Sequence, residues 1–172
     1  FVTLSSGGKP HHSASMRPDH FPAELVKDLT FTVDMMDTVI PMGPLRAPGS
    51  NALAYAFQSF LDEVAQAAGK ELPSLLLELL AEDKVIGQDV NSWGSGWAFR
   101  TARARGVIER VVKQSGWANR AREDGRGLGF GFYFSHLGYF AEVADVSVVG
   151  GKVKVNKIWV AADVGSQIVN PM

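Results

Sequence analysis

The chain has 172 residues, a length that fits one ordinary domain or two small lobes. Its 17 basic and 18 acidic residues leave a net charge of −1, so no field of one sign recommends nucleic acid or an anionic membrane as partner. It has no cysteine, which excludes disulfides and leaves no thiolate for an iron–sulfur cluster or a structural zinc.

Apolar residues make up 46% of the chain, enough for a sizeable core, and no apolar run approaches membrane-spanning length. Phe1 to Leu4 reads as a strand running into a Ser5-Ser6-Gly7-Gly8 turn. Residues 9–24 hold His11, His12 and His20 with three prolines, and read as a loop with little regular structure. Those histidines lack a carboxylate at a recognised ligand spacing, so they read as solvated loop residues and not as a metal site. Leu29 to Met35 alternates apolar and polar residues, the pattern of a half-buried strand.

Pro41 to Ser50 packs three prolines and two glycines around one cation, Arg46, and so reads as a constrained loop. Ser50 or Asn51 can cap the helix that follows, which runs to about Ala68. Its apolar positions are Leu53, Ala56, Phe57, Phe60, Leu61 and Val64, one stripe at helical spacing. Free N–H groups at that helix start, with Arg46 upstream, make an anion-friendly corner. An ordinary tight loop leading into a core helix fits the same residues.

Gly69 ends this helix and Pro73 starts another, with Leu75, Leu76, Leu79 and Leu80 apolar. Residues 82–100 read as irregular, with Trp93 and Trp97 among glycines as core residues or an exposed docking loop. A third helix covers about 101–114, with Val107, Ile108, Val111 and Val112 apolar and Gly116 closing it. Gly127 to Phe134 reads as a glycine-rich strand, residues 139–149 as a second, and Lys152 to Val160 as the returning one after a Gly150-Gly151 turn. Helices precede strands, so the fold class is α+β, with a mixed or antiparallel sheet. A division into residues 1–120 and a glycine-rich β lobe at 121–172 follows the same change of pattern.

Gly127-x-Gly129-x-Gly131 lacks the helix that a phosphate loop needs, and reads as a strand packed closely against another backbone. Asp62 and Glu63 are adjacent on a helix and point apart, a solvated face. Glu142 and Asp145 have opposite parity on one strand. No nucleophile triad is visible in the spacing.

Two blocks resemble one family. Pro44-Leu45-Arg46-Ala47-Pro48-Gly49-Ser50-Asn51-Ala52 with Gln58 to Ala65 is the first. The second is Tyr139 to Val148, followed by Ala162-Asp163-Val164-Gly165-Ser166 and Asn170-Pro171. Both are similar to the large subunit of bacterial molybdenum hydroxylases, in the xanthine dehydrogenase and aldehyde oxidase family. The nearest subgroup is the beta subunit of isoquinoline 1-oxidoreductase. The resemblance covers roughly residues 40–172.

The resemblance implies a molybdenum–pterin cofactor, in bacteria often the cytosine dinucleotide form, held without protein thiolates. Arg46, Ala47, Gly49, Asp163, Gly165 and Ser166 match its cofactor side, and the turn bearing His136 lies near it; a plain hydrogen-bonded turn histidine is the other reading. Pro48 stands where better-known members place an aromatic residue beside substrate. The implied reaction is hydroxylation of an electron-poor carbon in an N-heteroaromatic ring or an aldehyde, with oxygen from water. Electrons pass to a 2Fe–2S small subunit or another carrier. The family's Met-Gly-Gln-Gly type loop and Gly-Glu-Pro segment, which carries the catalytic glutamate, have no counterpart here. No catalytic residue is therefore assigned, and the chain is expected to be an internal fragment that is inactive alone, from a bacterial protein of cytoplasmic or periplasmic location. A non-catalytic assembly or interaction domain keeping the family fold is the alternative.

Overall fold

The computed structural model describes residues 5–6, 9–10, 25–28, 30, 50–88, 97–120 and 123–166. The expected strand at Phe1–Leu4, His11, His12, His20, the Arg46 loop, Trp93 and Asn170-Pro171 fall outside these residues; of the strand expected over Leu29–Met35 only Thr30 is described, in no strand, and Lys9 and Pro10, expected in a loop, are in one. Two short strands, β1 (Ser5–Ser6) and β2 (Lys9–Pro10), pair antiparallel.

Helix α1 spans Ser50–Ala67 and ends before Gly69, whose φ of +66° stops it. Leu53, Leu61 and Ala65 are buried. The rest of the expected stripe is not: Phe60 is 56% exposed and Val64 is also open. Among the described residues, nothing covers that edge of the apolar stripe. Helix α2 (Leu72–Leu79) starts one residue before Pro73 and buries Leu72, Pro73 and Leu76. Arg105 donates to the Leu80 and Ala81 carbonyls at 2.9 and 3.1 Å, which satisfies acceptors left over at the end of α2.

The stretch expected to be irregular contains a hairpin-like pair. Strand β3 (Val85–Gln88) lies antiparallel to β4 (Trp97–Arg100). Four residues give too short a pattern for periodicity to reveal, and pairing across the segment makes the strand. Thr101 prolongs the pairing by donating its N–H to the Lys84 carbonyl at 3.1 Å. Its buried hydroxyl donates to the Glu82 carbonyl at 2.6 Å and accepts the Lys84 N–H at 2.8 Å.

Helix α3 (Thr101–Ser115) presents Ala104, Val107, Ile108 and Val111 to the core, and ends at Gly116 in the left-handed region. A short 3-10 turn at Trp117–Asn119 follows. Glu71 fastens this turn to the start of α2. Its carboxylate accepts Trp117 Nε1 at 2.7 Å and an Arg120 guanidinium N–H, while that guanidinium stacks 4.1 Å above the indole.

The last three strands form an antiparallel sheet in the order β5-β6-β7, with β5 at Arg126–Ser135, β6 at Gly138–Val149 and β7 at Lys152–Asp163. Directly opposed residues share a face. Phe132, Phe134, Tyr139, Ala141, Val143 and Ala161 therefore lie together on the face covered by α3, in one buried cluster with Ile108, Val111, Leu76 and Leu61. That cluster joins residues on both sides of position 120. Phe99 contacts Phe132, Phe134 and Tyr139 edge-on or tilted, and so ties β4 into it.

The opposite face carries the glycine row together with the exposed side chains of Val148, Val153, Val155, Ile158 and Val160. A Cβ added at Gly127, Gly129 or Gly131 would meet nothing within 4 Å. The glycine strand is real, but the close backbone neighbour expected over it is not present among the described residues. Register slips between Asp145 and Val146, leaving Asn156 as the extra residue of a bulge. Its amide bonds Asp145 and Ser147, and Arg126 grips Asp145 on both oxygens, at 3.0 and 2.7 Å.

Candidate functional site

Antiparallel pairing decides which segments meet. The β5–β6 connection, residues 136–137, lies at one end of the sheet. Asp163, the last residue of β7, is opposite Tyr139 and so emerges at that same end. Adjacent strands are about 4.8 Å apart, which puts the ends of β5 and β7 roughly 10 Å apart across β6. The N-terminus of α1 reaches this end too, because Ser50 Oγ and Ser135 Oγ share a hydrogen bond of 3.0 Å. The N-terminus of α3 completes it, through Arg103 and Asp163.

Ser135 Oγ is also 2.7 Å from His136 Nδ1, so Ser50, Ser135 and His136 form one hydrogen-bonded chain. His136 and Leu137 have φ of 52° and 65°. A two-residue connection needs positive φ, and Asn-Gly is the usual way to supply it. Here an exposed imidazole and a leucine are held there instead, at a cost in backbone energy.

Asp163 is bound from two sides. Arg103 Nε donates to Oδ2 at 2.7 Å and Arg103 Nη2 to Oδ1 at 2.6 Å. The Gly165 N–H donates to Oδ1 at 3.1 Å across a turn in which Gly165 has a φ of +116°. These hydrogen bonds, Arg103's first, hold the Asp163 carboxyl below its usual range, and the same pairing raises Arg103. The Arg103 guanidinium lies 4.4 Å above the ring of the fully buried Tyr139. The Tyr139 hydroxyl accepts the Arg100 N–H at 2.7 Å and donates to the Ala98 carbonyl at 3.3 Å. Burial pushes that phenol's pKa up, so it stays neutral and able to donate.

Of the residues expected on the cofactor side, Asp163, Gly165 and Ser166 stand at this end, and Gly165 and Ser166 are exposed. Arg46, Ala47, Pro48 and Gly49 lie outside the described residues. Glu142 and Asp145 face opposite sides, one exposed and one buried. Sequence reasoning missed Arg103, Ser135 and Tyr139. Arg103 and Asp163 are 60 residues apart, and no local pattern links them. Only the parity of Tyr139 on its strand hinted at its burial.

The donors here, Ser50, Ser135 and His136 beside two helix N-termini, suit an anionic hydrogen-bonding group. Such a group needs no thiolate from the protein. Among the described residues no three His, Asp or Glu side chains are grouped to hold a metal ion directly. No helix of the described residues is long and apolar enough to cross a membrane. No protein-family model matches the chain, and no curated protein matches it either.

Proposed function

We propose that the chain forms part of the cofactor-binding subunit of a molybdenum hydroxylase of the xanthine dehydrogenase and aldehyde oxidase family. The reaction is hydroxylation of an electron-poor carbon in an N-heteroaromatic ring or an aldehyde, with oxygen from water and electrons passed to a 2Fe–2S partner subunit. The observation that carries this reading is the meeting of separate sequence segments. Ser50, which ends the first resembling block's loop, bonds Ser135 at the end of β5, just before the second block, and Asp163 to Ser166 emerges at the same sheet end.

A molybdenum–pterin group, when bound, supplies the oxygen and electron transfer. The chain's own residues bind and orient it. Arg46 and the α1 N-terminus balance its negative charge, and Ser135, His136 and Ser166 offer hydrogen bonds around it. By the resemblance, Ala47 and Gly49 belong to the cofactor side and Pro48 to the substrate side. No glutamate here stands in a motif suited to act as the base for the hydroxylation, so the 172-residue chain alone is inactive on this reading.

The test uses the full-length subunit matured in a host that makes the cofactor. Arg46→Ala is expected to lower pterin content at least tenfold, while Tyr55→Ala, on the exposed face of α1, leaves it unchanged. Equal retention in both would contradict the assignment of Arg46.

A further inference from the structure

The Asp163 carboxylate is already spent. It accepts three N–H donors, two from Arg103 and one from Gly165, out of about four lone-pair positions. Its charge is neutralised by a guanidinium whose orientation is fixed independently. Arg103 holds its guanidinium carbon 4.4 Å above the Tyr139 ring centre, and Tyr139 is fully buried with its hydroxyl tied to the β4–α3 junction. A continuous set of contacts thus runs from Ala98 and Arg100 through Tyr139 and Arg103 to Asp163 and Gly165. Each side chain in it has its rotamer restrained from two directions.

We propose that Arg103 is a positioning residue that fixes the course of Asp163–Ser166, and that this segment meets its ligand through Ser166 and backbone, not through the Asp163 carboxylate. This rests on the molybdopterin reading for the identity of the ligand. The electrostatics agree with it: a free carboxylate would repel a pterin phosphate, and one neutralised by a bidentate arginine does not. A lysine could match the charge but not the planar fork that bonds both Asp163 oxygens. Arg103 therefore acts by geometry, and charge alone does not replace it.

The experiment compares Arg103→Ala, Arg103→Lys and Asp163→Asn. In the 172-residue chain, the Gly165 amide is followed by NMR hydrogen exchange. Arg103→Ala and Arg103→Lys are expected to speed its exchange at least tenfold while amides in the middle of β6 keep their rates. Unchanged exchange at Gly165 would overturn the positioning role whatever the ligand is. In the cofactor-loaded full-length subunit, both arginine variants are expected to lose pterin at least tenfold faster than wild type. Loss in Asp163→Asn with wild-type retention in both arginine variants would instead mean that Asp163 touches the ligand, and would overturn the proposal. Wild-type protein without molybdenum or pterin would defeat the functional reading, and the exchange data would still decide the positioning role.

Discussion

Gln58 on α1 accepts the backbone N–H of Phe132 through Oε1 at 2.9 Å, 74 residues along the chain. Strand β5 is the outer strand of its sheet on this side. Among the described residues no further strand pairs with its outward edge, and a side chain from α1 takes the place of one at Phe132. The bond also fixes how far α1 sits along β5, and with it the contact between Ser50 and Ser135. Gln58→Leu keeps the bulk and leaves the Phe132 N–H without its acceptor. We expect a loss of about 1–3 kcal/mol in urea unfolding. A change below a few tenths would mean that water replaces the glutamine freely.

The core prediction contrasts two apolar positions. Ile108 is fully buried on α3, and Tyr55 on α1 is 78% exposed. Ile108→Ala removes buried methylene and methyl groups and leaves a cavity, for a cost of about 2–5 kcal/mol. Tyr55→Ala should stay within about 0.5 kcal/mol of wild type. Denaturant midpoints at constant slope separate the two.

The β5–β6 turn stores backbone strain at His136 and Leu137. Replacing the pair by Asn-Gly supplies residues that tolerate positive φ. The double variant is expected to be about 1 kcal/mol more stable than wild type, measured by thermal and urea unfolding. If the site reading holds, the same variant in the full-length subunit gains stability and loses pterin affinity, because His136 is gone.

Acid stability follows from two aspartates. Hydrogen bonding to Arg126 holds the Asp145 carboxyl low, and Arg103 does the same for Asp163. In the unfolded chain both titrate near about 3.9. The folded pKa values are the lower ones, so the unfolded state binds more protons as the solution turns acidic. The stabilisation is present above the unfolded pKa and is lost as pH falls through the folded values. Asp145→Asn and Asp163→Asn should each lower the urea midpoint at pH 7 and shrink the drop between pH 5 and pH 2. A wild-type acid limb in both variants would show that these pairs do not differ between folded and unfolded states.

Local chemistry was legible in the sequence. Helix ends at Gly69 and Gly116, the Gly150-Gly151 turn and the strand–strand–strand order all follow from residues within a few positions of one another. Pairing across distance was not. Strands β3 and β4 exist because Val85 to Gln88 finds Trp97 to Arg100, and neither segment is long enough to announce itself. Strand β7 continues past Val160 to Asp163 because Tyr139 and its neighbours on β6 offer partners. Burial was legible only in part. Periodicity marked Phe60 and Val64 as apolar, but not that the described elements would leave them open, nor that Val153 and Val155 would point away from α3. The clamp between Arg103 and Asp163 has no sequence signature at all, since an arginine on a helix surface and an aspartate at a strand end are ordinary in isolation.

The most direct measurement is the molybdenum and pterin content per chain of the full-length protein purified from its source. The account predicts near-stoichiometric amounts of both. Their joint absence from fully matured protein would contradict it, and would leave a domain that keeps this α+β architecture for assembly or interaction.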